Sequence, residues 1–142
     1  MANFDANKIM SGTFGSAWMD GEKLSEIFAL EAKLEITKEA VSVCGEMAEF
    51  SKFVGYKGTG SLKMRKINSR MASKISDSLK TGVNPAVEIL SELADPAATG
   101  AERVLLKGVQ FDDLTMANWE VKKPGEVEVP FTFTDWEFYD LV

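Results

Sequence analysis

Apolar and polar positions alternate along most of this chain, and a period of two is the mark of strands with one face turned to a core. Ser16 to Met19 reads as a first strand. Asp20-Gly21 reads as a two-residue hairpin turn, because both residues tolerate positive φ. The return strand carries the clearest pattern. Phe28, Leu30, Ala32, Leu34 and Ile36 fall on one face, and Glu31, Lys33, Glu35 and Thr37 on the other. A strand of that span extends about 36 Å, which is long for a domain this small.

The pattern loosens from Val41 to Gly60. Gly45, Gly55, Gly58 and Gly60 punctuate a segment that still carries Met47, Phe50, Phe53, Val54 and Tyr56, too apolar for an ordinary solvated loop. Alternation resumes from Ser61 to Ile67, with Leu62 and Met64 opposite Ser61, Lys63 and Arg65. The spacing then predicts a helix over about 69–81. Asn68 or Ser69 can cap it, Met71, Ile75 and Leu79 form one apolar stripe, and Gly82 is placed to end it.

Pro85 opens a strand through Val87, Ile89 and Leu93, and a turn from Asp95 to Gly100 leads to another over Arg103 to Phe111. A further strand is expected from Leu114 to Lys122, with Trp119 near its end. After Pro124-Gly125 the last strand places Val127, Val129, Phe131 and Phe133 on one face. The apolar set then shifts to Trp136 and Phe138, a parity slip of the kind a β-bulge produces. Seven or eight strands and one helix make the chain mainly β with one α-helix, best fitted by a sandwich or a barrel plugged by the helix. Its internal turns are too short to link two domains, so residues 1–142 read as one. Met1 to Ser11, polar and unpatterned, read as an arm that stays mobile until a neighbour orders it.

Composition narrows the functions available. With 142 residues, 45% apolar and 27% charged, the chain has the means to bury a core. A net charge of −6 repels phosphate backbones and argues against a sequence-reading nucleic-acid binder. It leaves room for a protein past which DNA slides ungripped, although many soluble bacterial proteins are equally acidic. Cys44 is the sole cysteine and histidine is absent. That excludes an internal disulfide, thiolate or imidazole zinc sites, and nucleophile–histidine pairs. Between Val43 and Gly45, Cys44 reads as a small buried or half-buried side chain. Asp112-Asp113 lacks the dense oxygen set that calcium requires. Gly58-Thr59-Gly60 lacks the lysine of a phosphate loop and reads instead as a strand corner or bulge. No catalytic, cofactor-binding or metal-ligating residue emerges, and no enzyme is expected.

The start of the chain has neither a basic nor an apolar leader region, and no apolar run is long enough to span a bilayer, so cytoplasmic synthesis without a membrane anchor is expected. Two features remain. A long alternating strand at a sheet edge invites pairing with another chain. The stretch from Met47 to Tyr56 marks either a protein contact or a lid folded over the barrel mouth.

Three stretches also carry a family resemblance. The first holds Ile9-Met10-Ser11-Gly12, Gly15, Asp20-Gly21 and Glu31-Ala32. The second holds Gly45, Gly58-Thr59-Gly60, Lys66 and Ser69. The third holds Gly100, Glu102-Arg103-Val104, Val109, Phe111-Asp112 and Glu128-Val129-Pro130-Phe131-Thr132-Phe133. In this order and spacing, over nearly the full length, the chain resembles the core tail tube proteins of PBSX-type prophages, contractile phages and R-type, tail-like bacteriocins. The resemblance implies a β-sandwich or incomplete barrel with a flanking helix and a long protruding hairpin. It implies hexameric rings with a continuous inner barrel, stacked through the hairpin and the N-terminal arm into a tube inside a contractile sheath. Baseplate and terminator proteins would close its ends, and DNA would pass without specific binding. Mapped onto this chain, the stacking hairpin occupies about 41–60, with Met47, Phe50, Phe53, Val54 and Tyr56 as contacts. Glu31, Lys33, Glu35, Lys63 and Arg65 become candidates for the lumen wall. The alternatives are a tube protein of a related injection or secretion machine, or a lipocalin-type carrier, which would need a roomy apolar interior.

Overall fold

A computed structural model describes residues 6–65, 70–98 and 100–140. Its elements are β1 (Gly15–Met19), β2 (Glu22–Lys23), β3 (Ile27–Ser42), β4 (Glu49–Arg65), α1 (Arg70–Lys80), β5 (Val87–Leu93), β6 (Glu102–Phe111), β7 (Glu126–Phe133) and β8 (Asp135–Asp140). Short 3-10 turns at Ala6–Lys8 and Gly12–Phe14 precede them. The backbone N–H of Ser11 donates to the buried Asp95 carboxylate at 2.9 Å. The end of the expected mobile arm is therefore tied to the body, and its first five residues lie outside the described ones.

The turn at Asp20 and Gly21 forms as expected, with φ of 51° and 82° and Trp18 paired to Lys23. The return strand is different. β2 holds only two residues before Leu24 drops into the core, its N–H bonded to the Ala17 carbonyl at 2.9 Å. The chain turns again, and the long β3 pairs with β4 instead of β1. β3 also runs to 16 residues and β4 to 17, absorbing the stretch where alternation loosens.

All pairings are antiparallel, in the order β2-β1-β5-β6-β7-β4-β3, with β8 added to β6. β6 serves both layers of the resulting open barrel. Arg103 to Lys107 pair with β8, while Gln110 and Phe111 pair with β7. Between them Gly108, at φ 64°, makes the corner, and an added Cβ there would run into the Thr134 hydroxyl. Thr134 in turn donates its N–H to the Lys107 carbonyl at 3.1 Å. The parity slip read as a bulge is thus a change of sheet: β7 ends at Phe133, Thr134 steps across, and β8 starts on the other layer.

Met19, Ile89, Leu106 and Val109 face Leu62, Met64, Val129, Phe131 and Phe133 across one core. Phe111 meets Phe131 edge-on with centroids 6.4 Å apart, and Ile75 of α1 joins the same cluster. Burying each of these side chains stabilises the fold by about 1.5–3 kcal/mol. The helix covers slightly less than 69–81, and Gly82 ends it with its N–H on the Leu79 carbonyl at 3.0 Å. Leu79 is exposed, so only part of the stripe is buried; Asn68, Ser69 and the Met71 side chain lie outside the described residues.

Leu114 to Lys122 form no strand. Met116 differs in parity from Trp119 and Val121, so no single face carries the apolar set, and no strand edge of the same chain pairs with the segment.

Candidate functional site

The β3–β4 hairpin changes character along its length. From Gly58 to Arg65, β4 has β3 on one side and β7 on the other. Its last partner on β7 is Phe133, opposite Gly58, so Glu49 to Lys57 pairs with β3 alone. That distal part extends about 30 Å at the usual rise per residue. Every residue from Glu31 to Val54 is exposed.

The two glycines at the root hold this geometry. A Cβ on Gly58 or on Gly60 would lie 2.5 Å from the ring of Phe133 or of Phe131, respectively. The two rings pack directly against this bare backbone and fasten the hairpin to the body. Gly58-Thr59-Gly60 is accordingly neither a corner nor a bulge, since β4 runs straight through it.

A bulge sits further out. Thr37 pairs with Gly55 and Lys38 with Phe53, leaving Val54 extra. It shifts parity by one and places Phe53 on the face of Tyr56. Their rings stack at 6.4 Å with an interplanar angle of 12°, and Tyr56 meets Trp136 of β8 edge-on at 5.3 Å. Phe50 pairs with Val41 on the opposite face. Met47 stands fully exposed at the tip, and Cys44, expected to be at least half-buried, is exposed in the same turn, where the Glu46 N–H reaches the Val43 carbonyl at 3.2 Å.

The contact candidates thus divide. Phe53 and Tyr56 continue an aromatic run from the body, Phe50 faces the other way, Val54 forms the bulge and Met47 the tip. Trp136, against Tyr56, and Val41, beside Phe50 on the other face, add to these contacts and were not singled out from the sequence. Val41 stands in the stretch where the pattern loosens, and the parity slip at Thr134 signals a strand end ahead of Trp136.

The lumen candidates gather on one face. Glu31, Lys33 and Glu35 pair with Ser61, Thr59 and Lys57, and Lys63 pairs with Ala29. Antiparallel partners share a face, and Arg65 follows Lys63 by alternation. Glu128 and Glu126 of β7 extend the face opposite Lys63 and Arg65. Arg65 forms an ion pair with Glu126, and its guanidinium lies 4.3 Å from the Phe28 ring centroid. The result is a three-stranded polar wall of alternating sign. Among the described residues, no group of His, Cys, Asp or Glu is placed to hold a metal, and no helix is long and apolar enough to cross a membrane. The space between the layers is filled by Phe111, Phe131 and Phe133.

A filled sandwich that offers a bare hairpin and a polar wall is built for assembly. The family model described as phage tail tube protein matches residues 2–140, and the chain belongs to that family. Among its relatives, the phage-like element PBSX protein XkdM of Bacillus subtilis (strain 168) is 34% identical over 134 residues, 93% of this chain and 91% of that protein. A chain of the sheath–tube complex of an extracellular contractile injection system (PVC, extended state) superposes with a TM-score of 0.72 at 9% identity, covering 89% of this chain and 88% of that one. A chain of that system's sheath/tube terminator superposes at 0.68 and 11% identity, with 89% and 93% covered. At such identities the two solved structures establish a shared fold.

Proposed function

We propose that copies of this chain close into hexameric rings through their strand edges and that the rings stack into a hollow tube inside a contractile sheath. The observation that carries this reading is the hairpin: about 30 Å of two-stranded ribbon with exposed apolar side chains on both faces pairs with no other described strand and touches the body's rings only where Tyr56 meets Trp136. A two-stranded ribbon is marginal in water, and neighbours on its faces and edges would stabilise it. Met47, Phe50, Phe53, Val54 and Tyr56 serve as ring-stacking contacts. Glu31, Lys33, Glu35, Lys63 and Arg65 line the bore, where mixed charge lets DNA pass without gripping it. The whole chain acts as one tail-tube domain, made in the bacterial cytoplasm and working by assembly without catalysis. Sheath, baseplate and terminator proteins are its further partners, a reading supported by its resemblance to chains found in sheath–tube and terminator assemblies. The aromatic side chains filling the space between the layers count against a carrier.

Negative-stain electron microscopy of the purified chain, with sedimentation velocity on the same samples, tests this. Rings or tubes of uniform bore are expected. A monomer at every concentration, with or without assembled baseplates as initiator, would overturn it.

A further inference from the structure

Head-to-tail stacking needs two different patches at opposite ends of one chain. The hairpin tip is one. β4 runs from the tip at Glu49 to Arg65, and Arg65 pairs with Glu126, the first residue of β7. The segment leading into β7, from Asp113 to Gly125, therefore hangs at the end of the body remote from the tip. Its other end is fixed by the Asp112 N–H on the Pro130 carbonyl at 2.9 Å.

This segment is the most exposed apolar stretch of the body. Met116, Trp119 and Val121 are 71%, 83% and 74% exposed. They are held out by a turn: the Lys123 N–H reaches the Glu120 carbonyl at 3.2 Å, the Lys123 ammonium reaches the Glu120 carboxylate at 3.2 Å, and Lys122 takes φ 64°. An indole this exposed, with a methionine and a valine beside it, contributes nothing to the fold of its own chain. It is the kind of anchor that dominates protein contacts once buried.

Resting on the tube reading above, we propose that the Asp113–Gly125 segment of one copy receives the hairpin tip of a second copy in the next ring. Met116, Trp119 and Val121 would pack against Met47 at the tip and against the ribbon face that carries Phe50 and Val41. The rims are complementary in charge: Glu46 and Glu49 flank Met47, while Lys122 follows Val121 and Lys123 is held by Glu120 within its own segment. An apolar centre inside a polar rim is the usual anatomy of a specific contact. Both complementary surfaces are thus present in one chain, at opposite poles, so each added ring presents a new acceptor.

The test uses the full chain in three forms: wild type, Trp119→Asp, and Phe50→Asp with Phe53→Asp. Far-UV circular dichroism checks folding. Each variant alone should give single rings, with tube mass on sedimentation reduced more than about tenfold, the weakening expected of a lost hot spot. Mixed, they should give paired rings and nothing longer, because Trp119→Asp retains a tip and the double variant retains an acceptor. Long tubes from Trp119→Asp, loss of rings in that variant, or a mixture that stays as single rings would each overturn the assignment. If Trp119→Asp misfolds, the milder Trp119→Ser decides, with the same expected loss of tubes. Wild-type protein that forms no rings would instead defeat the tube reading, and this inference with it.

Discussion

Two halves of one strand obey opposite rules. From Gly58 to Arg65, β4 is the middle strand of three, and Leu62 and Met64 are buried. From Glu49 to Lys57 it has one neighbour, and Phe50, Phe53, Val54 and Tyr56 stand exposed on two faces. The exposed half is the more apolar of the two, with Phe50, Phe53, Val54 and Tyr56 against Leu62 and Met64. What decides burial is whether a second layer lies across the face, and that changes where Phe133 ends and the chain steps to the other sheet. An alternating strand becomes core or interface according to what covers it.

Assembly should break this symmetry most sharply. Phe50→Asp with Phe53→Asp is expected to leave a folded subunit and abolish long tubes, as seen by electron microscopy; tubes of normal length would show that the distal half is not the axial contact. Next in size is the body. Phe131→Ala should cost about 3–5 kcal/mol in urea unfolding through the cavity it leaves, whereas Phe50→Ala in the unassembled subunit should change stability by no more than about 0.5 kcal/mol.

The glycines give a finer contrast. Gly60→Ala drives a methyl into the Phe131 ring and the Glu31 carbonyl and should cost about 1–3 kcal/mol, while Gly55→Ala, with open space around its Cβ, should be nearly neutral. Smaller still is the aromatic link from hairpin to body: a double-mutant cycle on Tyr56→Leu and Trp136→Leu should return a coupling of about 0.5–1.5 kcal/mol. A coupling of zero would mean that the hairpin is fastened by its glycine root alone.

The smallest effect is set by pH. Hydrogen bonding to Glu137, at 2.9 Å, raises the Lys107 ammonium above the ordinary lysine value of 10.5. A raised folded pKa stabilises the native state fully below the unfolded value, and that contribution is lost as pH rises through the folded one. Lys107→Met should therefore lower the urea midpoint slightly at neutral pH, and the difference from wild type should close as pH rises through the raised lysine value. This pair joins β6 to β8 within the body, so tube formation at neutral pH should not respond to the change.

Much of this was legible along the chain. The Asp20-Gly21 turn, the helix ending at Gly82, the strands from Val87 and Arg103, and the exposure of the Met47 to Tyr56 stretch all follow from local chemistry. The five polar-wall residues share a face because a period of two keeps them there. Other features were hidden. The bulge at Val54 decides that Phe53 shares a face with Tyr56, and nothing in the stretch from Val41 to Gly60 shows where a single extra residue will sit. The partner of β3 was misread because a two-residue turn predicts an adjacent strand, while Leu24 is drawn into a core built mostly from residues far along the chain. Leu114 to Lys122 have strand-like composition yet pair with no described strand of the chain.

Alternation and turn chemistry act over a few residues, so the residue order was enough to specify strands, a hairpin and a helix, and to exclude histidine-based chemistry and an internal disulfide. Pairing and burial require partners distant in the chain. Which half of β4 is covered, where Thr134 carries the chain between sheets, and which pole each apolar patch occupies were settled when those partners met, because a backbone ladder and a packed face exist only between segments.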